Sequence, residues 1–142
     1  MSLPDSDTQA IIQQTDLWLQ GAVDGGYQRL NDILADDFLY SSHAKYGVST
    51  MTKPEMIKLA SMLKDAGTEK LEQTITKVGD IAISLTVTKS LEKITGEVGD
   101  FASSDAMNAS MNGKVLVYAS GWRKDGATWK CFDMHLVDAL PA

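Results

Sequence analysis

Two β-rich segments flank the Asp125-Gly126 step in KVLVYASGWRKDGATWKCFDMHLVD, residues 114–138, and no other stretch constrains the fold as strongly. An Asp-Gly pair in that setting favours a tight hairpin, because the central turn positions need positive φ. The chain should therefore close with a long antiparallel hairpin. With Asp125-Gly126 as a two-residue loop, Lys124 opposes Ala127 and Trp122 opposes Trp129. Tyr118 then faces Asp133, and Leu116 faces His135. Asp133 and His135 are two apart and share a face, roughly 6.5–7 Å apart at the backbone. A carboxylate at that range orients an imidazole and raises its pKa, which prepares a general base. In this register Tyr118, Asp133 and His135 form one cluster. The same cluster also reads as a hydrogen-bonded polar patch on a cavity wall or a dimer face. The alternate set, Val115, Val117, Ala119, Phe132, Met134 and Leu136, is more apolar and suits helix packing equally well. A bulge would change the pairing and break the cluster up.

Upstream of the hairpin the chain is helix-rich. Ser6 and Gln9 have capping-box spacing, and polar residues recur every three or four positions through Asp24. This leaves Ile11, Ile12, Thr15, Trp18, Leu19, Ala22 and Val23 on one side of a helix that Gly25-Gly26 should end. A second, short helix carries Tyr27, Leu30, Ile33 and Leu34. Phe38 to His43 reads as a strand, with Gly47 to Thr50 as its return. In this strand Tyr40 shares a face with Phe38 and Ser42, and His43 lies on the other with Leu39 and Ser41. Thr52-Lys53-Pro54-Glu55 is a second capping box, opening a third helix expected to reach about Ala66 and stop at Gly67. After the Gly79-Asp80 turn, Ile81, Ile83, Leu85 and Val87 alternate with Ala82, Ser84, Thr86 and Thr88. One sheet face is thus apolar and the other small or hydroxylated. Residues 91–113 are expected to form a long connection or edge ribbon. Helices gathered ahead of an antiparallel sheet give an α+β fold, with a cone-shaped hollow where a sheet curls around helices.

The 142 residues suit one domain spanning 1–142, with 1–5 expected to be disordered. Cys131 is the single cysteine, which excludes an intramolecular disulfide and fits a reducing compartment. The opening MSLPDSDTQA lacks the charged and apolar segments of a signal peptide, and no window has the length of a membrane span. A cytoplasmic location follows as the expectation. The formal charge is −6, with Lys and Arg scattered, so neither nucleic acid nor an anionic membrane is an expected partner. No Walker loop, GxGxxG, GxSxG, HExxH or CxxC occurs, and no cofactor is implied. His43 and His135 are the two histidines. Without a convergent carboxylate they fall short of the ligands zinc takes, so no metal is expected.

Three features resemble the NTF2-like superfamily, in particular its SnoaL-like and DUF4440-type small domains. They are LNDILADDFLYSS joining the second helix to the first strand, TKPEMIKLAS opening the third helix, and the hairpin with GWRKDG, Trp129 and His135. The resemblance implies a curved antiparallel sheet wrapped on three helices, a pocket at the open end, and homodimers packed through the sheet. It also implies that Tyr118 and Trp122 face the cavity. Isomerase-like members carry an aspartate base after the ADD step on the first strand, a place that falls at Ser42 here. A serine without an activating base cannot abstract a carbon-bound proton near neutral pH.

The leading expectation is a homodimer whose cavity binds a small, largely apolar molecule. Trp18, Tyr40, His43, Tyr118, Trp122 and His135 are the candidate ligand contacts. Such binding calls for a closed, mostly apolar cavity of roughly 300 Å³ or more. The alternative is an isomerase-, cyclase- or dehydratase-like enzyme acting on an apolar carbonyl compound. His135 would be its base, Asp133 its orienting carboxylate and Tyr118 the donor to a developing oxyanion. A third alternative is a non-catalytic dimerisation module, which requires a cone filled by side chains.

Overall fold

The computed structural model describes residues 5–20, 26–64, 68–90 and 93–141. Helix α1 spans Ser6–Leu19, and its cap is Asp5, whose carboxylate accepts from the Thr8 amide at 2.7 Å. The cap thus falls one residue before Ser6, because a charged acceptor meets the positive end of the helix. The helix stops at Leu19, earlier than the Gly25-Gly26 expectation; Gly25 lies outside the described residues. A 3₁₀ turn, Gly26–Arg29, leads into the short α2, Leu30–Ile33, and then β1, Leu34–Ser41. A second 3₁₀ turn, Ala44–Tyr46, ends at Gly47 with φ 93°, so the return strand β2 is Thr50–Thr52 instead of Gly47 to Thr50.

Helix α3, Lys53–Ser61, begins at the expected capping box, with Glu55 accepting from the Thr52 amide at 2.9 Å. It ends at Ser61, short of Ala66, because Leu63–Lys64 leaves as strand β3. Ala66 and Gly67 lie outside the described residues. Strands β4, Thr68–Val78, and β5, Ile81–Ser90, pair across the Gly79-Asp80 turn. The stretch expected to be an irregular connection holds strand β6, Lys93–Ile94, paired with β3, and a fourth helix, α4, Ser104–Met111. Ser103 caps α4, and Asn108 meets both backbone groups of Ile94, accepting at 2.8 Å and donating at 3.0 Å. A side-chain amide thus completes the open edge of a two-residue strand.

Strands β7, Lys114–Asp125, and β8, Thr128–Pro141, form the C-terminal hairpin, with Gly126 at φ 64° in its turn. The main sheet has the order β2-β1-β8-β7-β5-β4. It is mixed, not wholly antiparallel: β1 runs parallel to β8, with Tyr40 beside Met134 and Ser41 beside His135. No hairpin joins these two strands, so connectivity imposes no direction on them.

The two faces of β5 take opposite surroundings. Ala82, Ser84, Thr86, Thr88 and Ser90 are buried toward the helices, whereas Ile81, Ile83 and Leu85 look outward, Ile83 with 60% of its surface exposed. The apolar core lies between the inner face and the helices, around Ile11, Leu30, Ile33, Phe38, Met56 and Leu59.

Asp7 fastens α1 to three strands at once. Its carboxylate accepts from the Trp129 indole at 2.9 Å, from Lys77 at 2.9 Å and from Lys124 at 3.3 Å. The indole bond, then Lys77, holds Asp7 well below the usual carboxylate range. A depressed folded pKa stabilises fully above the unfolded value of about 4, and that contribution fades as pH falls below it. Asp7→Asn is expected to lower the Tm at neutral pH, with the gap to wild type narrowing between about pH 4 and pH 2. Melting curves across pH check this, and a gap independent of pH would refute it.

Gly47 is a second tie. A Cβ there would sit 2.7 Å from the Met107 amide nitrogen and 2.9 Å from the Ser103 carbonyl oxygen, against the start of α4. Both the left-handed φ and this contact exclude a side chain, so Gly47→Ala should cost about 2 kcal/mol or more in urea unfolding.

Candidate functional site

Helices α1, α3 and α4 and the inner faces of β5, β7 and β8 line a partly open cavity of about 140 Å³. It is smaller than the roughly 300 Å³ expected of a ligand pocket. Met51, Met56, Met107, Met111 and Met134 all reach into the cone and occupy volume a larger ligand would need. The helical side is apolar, built from Met56, Met107 and Met111 with Leu59 and Trp18, whose ring stands edge-on to Phe38 at 6.1 Å. The sheet side is different: Thr86, Thr88, Ser90 and Ser120 present hydroxyl-bearing side chains.

Of these residues, Thr86 and Ser120 connect through Ser84 to a network anchored by Gln73 of β4. Its amide nitrogen donates to Thr15 of α1 and to Ser84 of β5, each at 3.0 Å. Its amide oxygen accepts from Lys70 at 2.8 Å, and Lys70 pairs with Asp16 of α1 at 2.7 Å. Thr15 donates to the Ile11 carbonyl at 2.8 Å. Ser84 and Thr86 hydroxyls are 3.3 Å apart. The Trp122 indole donates to Ser120 at 2.9 Å. Each of these buried polar groups therefore has a partner, which offsets the cost of removing it from water.

Four of the residues singled out from sequence line this cavity: Trp18, Tyr40, Tyr118 and Trp122. The Tyr40 hydroxyl is buried without a hydrogen-bond partner, and burial pushes its pKa up. His43 is a correction: it is exposed at the end of β1, where its Nδ1 accepts from the Lys45 amide at 3.0 Å and caps the 3₁₀ turn.

His135 and Asp133 are a second correction, with a definite cause. The loop residues are Gly126 and Ala127, since Asp125 already pairs with Thr128. Trp122 pairs with Cys131 where Trp129 was expected, and a bulge follows, so that Gly121 faces Asp133 and Ala119 faces His135. Tyr118 pairs with Leu136 in the same register, and a second irregularity lies beyond it, before Val117. An extra residue in a strand turns its successors to the opposite face. Asp133 and His135 therefore lie on the outer face, away from Tyr118, and the three-residue cluster does not assemble. On that face His135 Nδ1 is 2.6 Å from the Ser41 hydroxyl, and its Nε2 is 3.5 Å from Asp133.

The residues that sequence reasoning missed are Gln73, Thr15, Thr86, Thr88 and Ser120. Signals existed for three of them: the hydroxyl row on one face of β5 for Thr86 and Thr88, and a threonine in the apolar stripe of α1 for Thr15. Among the described lining residues no carboxylate, imidazole or ammonium group occurs, and Tyr27, Tyr40 and Tyr118 are the titratable ones. Cys131 lies outside that lining, and burial pushes its thiol well above the ordinary value, which keeps it protonated and unreactive.

No family model and no curated protein matches the chain. Solved structures do match in shape. A protein from Exiguobacterium sibiricum named for a Ca/calmodulin-dependent kinase II association domain superposes with a TM-score of 0.75 at 8% identity, covering 100% of this chain and 99% of that one. An NTF2-like protein from Cytophaga hutchinsonii has a TM-score of 0.67 at 15% identity, over 97% and 100% of the two chains. A hexachlorocyclohexane dehydrochlorinase from Novosphingobium barchaimii has a TM-score of 0.67 at 16% identity, over 96% and 90%. At these identities the likeness speaks of shape alone. The chain therefore has the NTF2-like fold, an α+β cone with four described helices and a six-stranded mixed sheet.

Proposed function

We propose that this chain is a small-molecule-binding protein of the SnoaL-like kind, and that its ligand is a compact, largely apolar molecule held in the cone. One observation carries this reading: an internal cavity with an apolar helical wall, a hydroxyl-bearing sheet wall and no described group able to act as a general base. A cavity near 140 Å³ suits a ligand about the size of one ring, since roughly 150 Å³ accommodates benzene in an engineered apolar cavity. The enzyme alternative needs a base, and His135 and Asp133 look away from the cavity while Ser42 donates to the Val48 carbonyl at 2.5 Å. The dehydrochlorinase neighbour supports the view that this cone can hold a small ring. It lends no catalytic residue to this chain.

Titration with methylenecyclohexane, followed by two-dimensional amide NMR, tests the proposal. Saturable shifts are expected at Thr86, Thr88 and the Trp122 indole. Ala60 of α3 lines the cavity, so Ala60→Phe is expected to fill it and weaken binding about tenfold or more. Shifts scattered over the surface, or none with either methylenecyclohexane or its ketone analogue cyclohexanone, would sink the proposal.

The same reading makes the protein a homodimer. Ile81, Ile83 and Leu85 of β5, with Leu39 of β1 and Leu140 of β8, leave large apolar side chains on the outer sheet face. Large apolar side chains exposed on one sheet face suit an interaction surface, and a second copy would cover both equivalent faces in one isologous contact. The kinase association-domain neighbour, named for assembly, supports self-association. Ile83→Asp places a charge at the middle of that face without disturbing the core, and is expected to weaken dimerisation about 100-fold. Sedimentation equilibrium of wild type and variant decides: a monomeric wild type would end the dimer reading.

A further inference from the structure

The hydrogen bonds behind the cavity wall have a direction, and that direction specifies what the wall offers a ligand. The Lys70 ammonium can only donate, so the Gln73 atom facing it at 2.8 Å is the amide oxygen. The Gln73 amide nitrogen therefore faces Thr15 and Ser84, and Ser84 accepts from it at 3.0 Å. Ser84 is fully buried, and the acceptor near its own hydrogen is the Thr86 hydroxyl at 3.3 Å. Were Thr86 to donate instead, the Ser84 hydrogen would be stranded in the core, at a cost of roughly 1–3 kcal/mol. The chain thus runs one way, from Lys70 through Gln73 and Ser84 to Thr86. Thr86 accepts at one side, and its own hydrogen is left for the cavity it lines.

From this we infer that the cavity recognises a hydrogen-bond-accepting oxygen, of the ketone or ether kind, on a ring-sized apolar molecule, with Thr86 as the donor. The inference rests on the cavity-binding proposal and adds the polarity of the ligand to it. Thr88, one position further along the same face of β5, is 1% exposed and also lines the cavity, which places a second hydroxyl beside the first. The opposite, helical wall is built from methionine and leucine side chains such as Met56, Leu59 and Met107, so the acceptor has its counterpart on the sheet side.

Cyclohexanone and methylenecyclohexane have nearly the same shape and differ in whether an acceptor oxygen is present. Both are titrated into the full-length protein and its variants, with dissociation constants read by NMR. Thr86→Val removes the donor while keeping the volume, and is expected to weaken cyclohexanone about five- to tenfold while leaving methylenecyclohexane within about twofold. Thr86→Ser keeps the hydroxyl and should restore ketone binding. Gln73→Glu supplies the decisive reading, because a carboxylate accepts from Ser84 instead of donating to it. The chain then reverses, Thr86 spends its hydrogen on Ser84, and the ketone weakens although Thr86 is intact. If Thr86→Val shifts both compounds alike, or neither, acceptor recognition is overturned while the cavity-binding proposal stands. If wild type binds neither compound, both fall. Should Thr86→Val fail to fold, the Gln73→Glu result decides alone: an unchanged ratio between the two compounds overturns the inference.

Discussion

The Gln73 amide joins the two halves of the cone. Through its nitrogen it holds Thr15 in the middle of α1 and Ser84 in the middle of β5, and through its oxygen it is held by Lys70. A helix packed on a sheet by apolar contacts alone could slide, because such contacts are non-directional. A branched set of hydrogen bonds inside the contact permits one placement. Polar groups in a core are costly when half satisfied and specifying when fully satisfied, and here each donor of the amide has an acceptor. The salt bridge between Lys70 and Asp16 ties the same strand to the same helix near the surface. The hollow survives beside this network because the polar wall of β5 is held by Gln73 and does not need the helices to press against it.

The sheet divides the protein's chemistry between its two faces, and the bulges in β8 decide which residue goes where. After the step between Trp122 and Gly121, Asp133 lies across from Gly121, where an added Cβ would come against Asp133 Oδ1 and within 2.8 Å of the Phe132 ring. Glycine at that position is what lets the carboxylate lie flat on the strand. Ser41, His135 and Asp133 then make a hydrogen-bonded group on the outer face. The same two residues read as a catalytic pair by strand periodicity become, after one extra residue, groups that a partner sheet would cover. Arg123 closes the edge of this face, pairing with Asp37 at 2.7 and 2.9 Å and standing over the Phe132 ring.

Much of this was legible in the sequence where a local rule had one outcome. The C-terminal hairpin, the Thr52 capping box of α3 and the alternation of β5 each follow from short-range chemistry, and the α+β class follows from their order. The failures share a different cause. The bulge at Phe132 shifts the apolar positions from Trp129 and Cys131 to Phe132, Met134 and Leu136, but on so few residues an unbroken strand reads equally well. Helix α4 has modest apolar periodicity and sits among glycines. Its stability comes from Asn108 meeting Ile94 and from Gly47 admitting Met107, contacts distant in sequence. Trp18, Tyr40, Tyr118 and Trp122 were readable as cavity residues because they are large and fall on strongly patterned faces. Gln73 was not, because a glutamine in a polar strand looks like any solvated residue until Thr15 and Ser84 are seen around it.

The orientation of β5 runs against the usual rule that the apolar face of a strand points into the core. Two terms reverse it. Inward, the small residues leave space in the cone, and Ser84 is satisfied by Gln73, which offsets its desolvation. Outward, Ile81, Ile83 and Leu85 gain nothing from water, and a monomer with this face bare would forgo the stabilisation of burying it, about 25 cal/mol for each Å² of apolar surface. The inversion is therefore favourable once another apolar surface lies against the sheet. The two faces are linked in this way: the alternation that gives the cone its hydroxyl wall also gives the outside of β5 its apolar side chains.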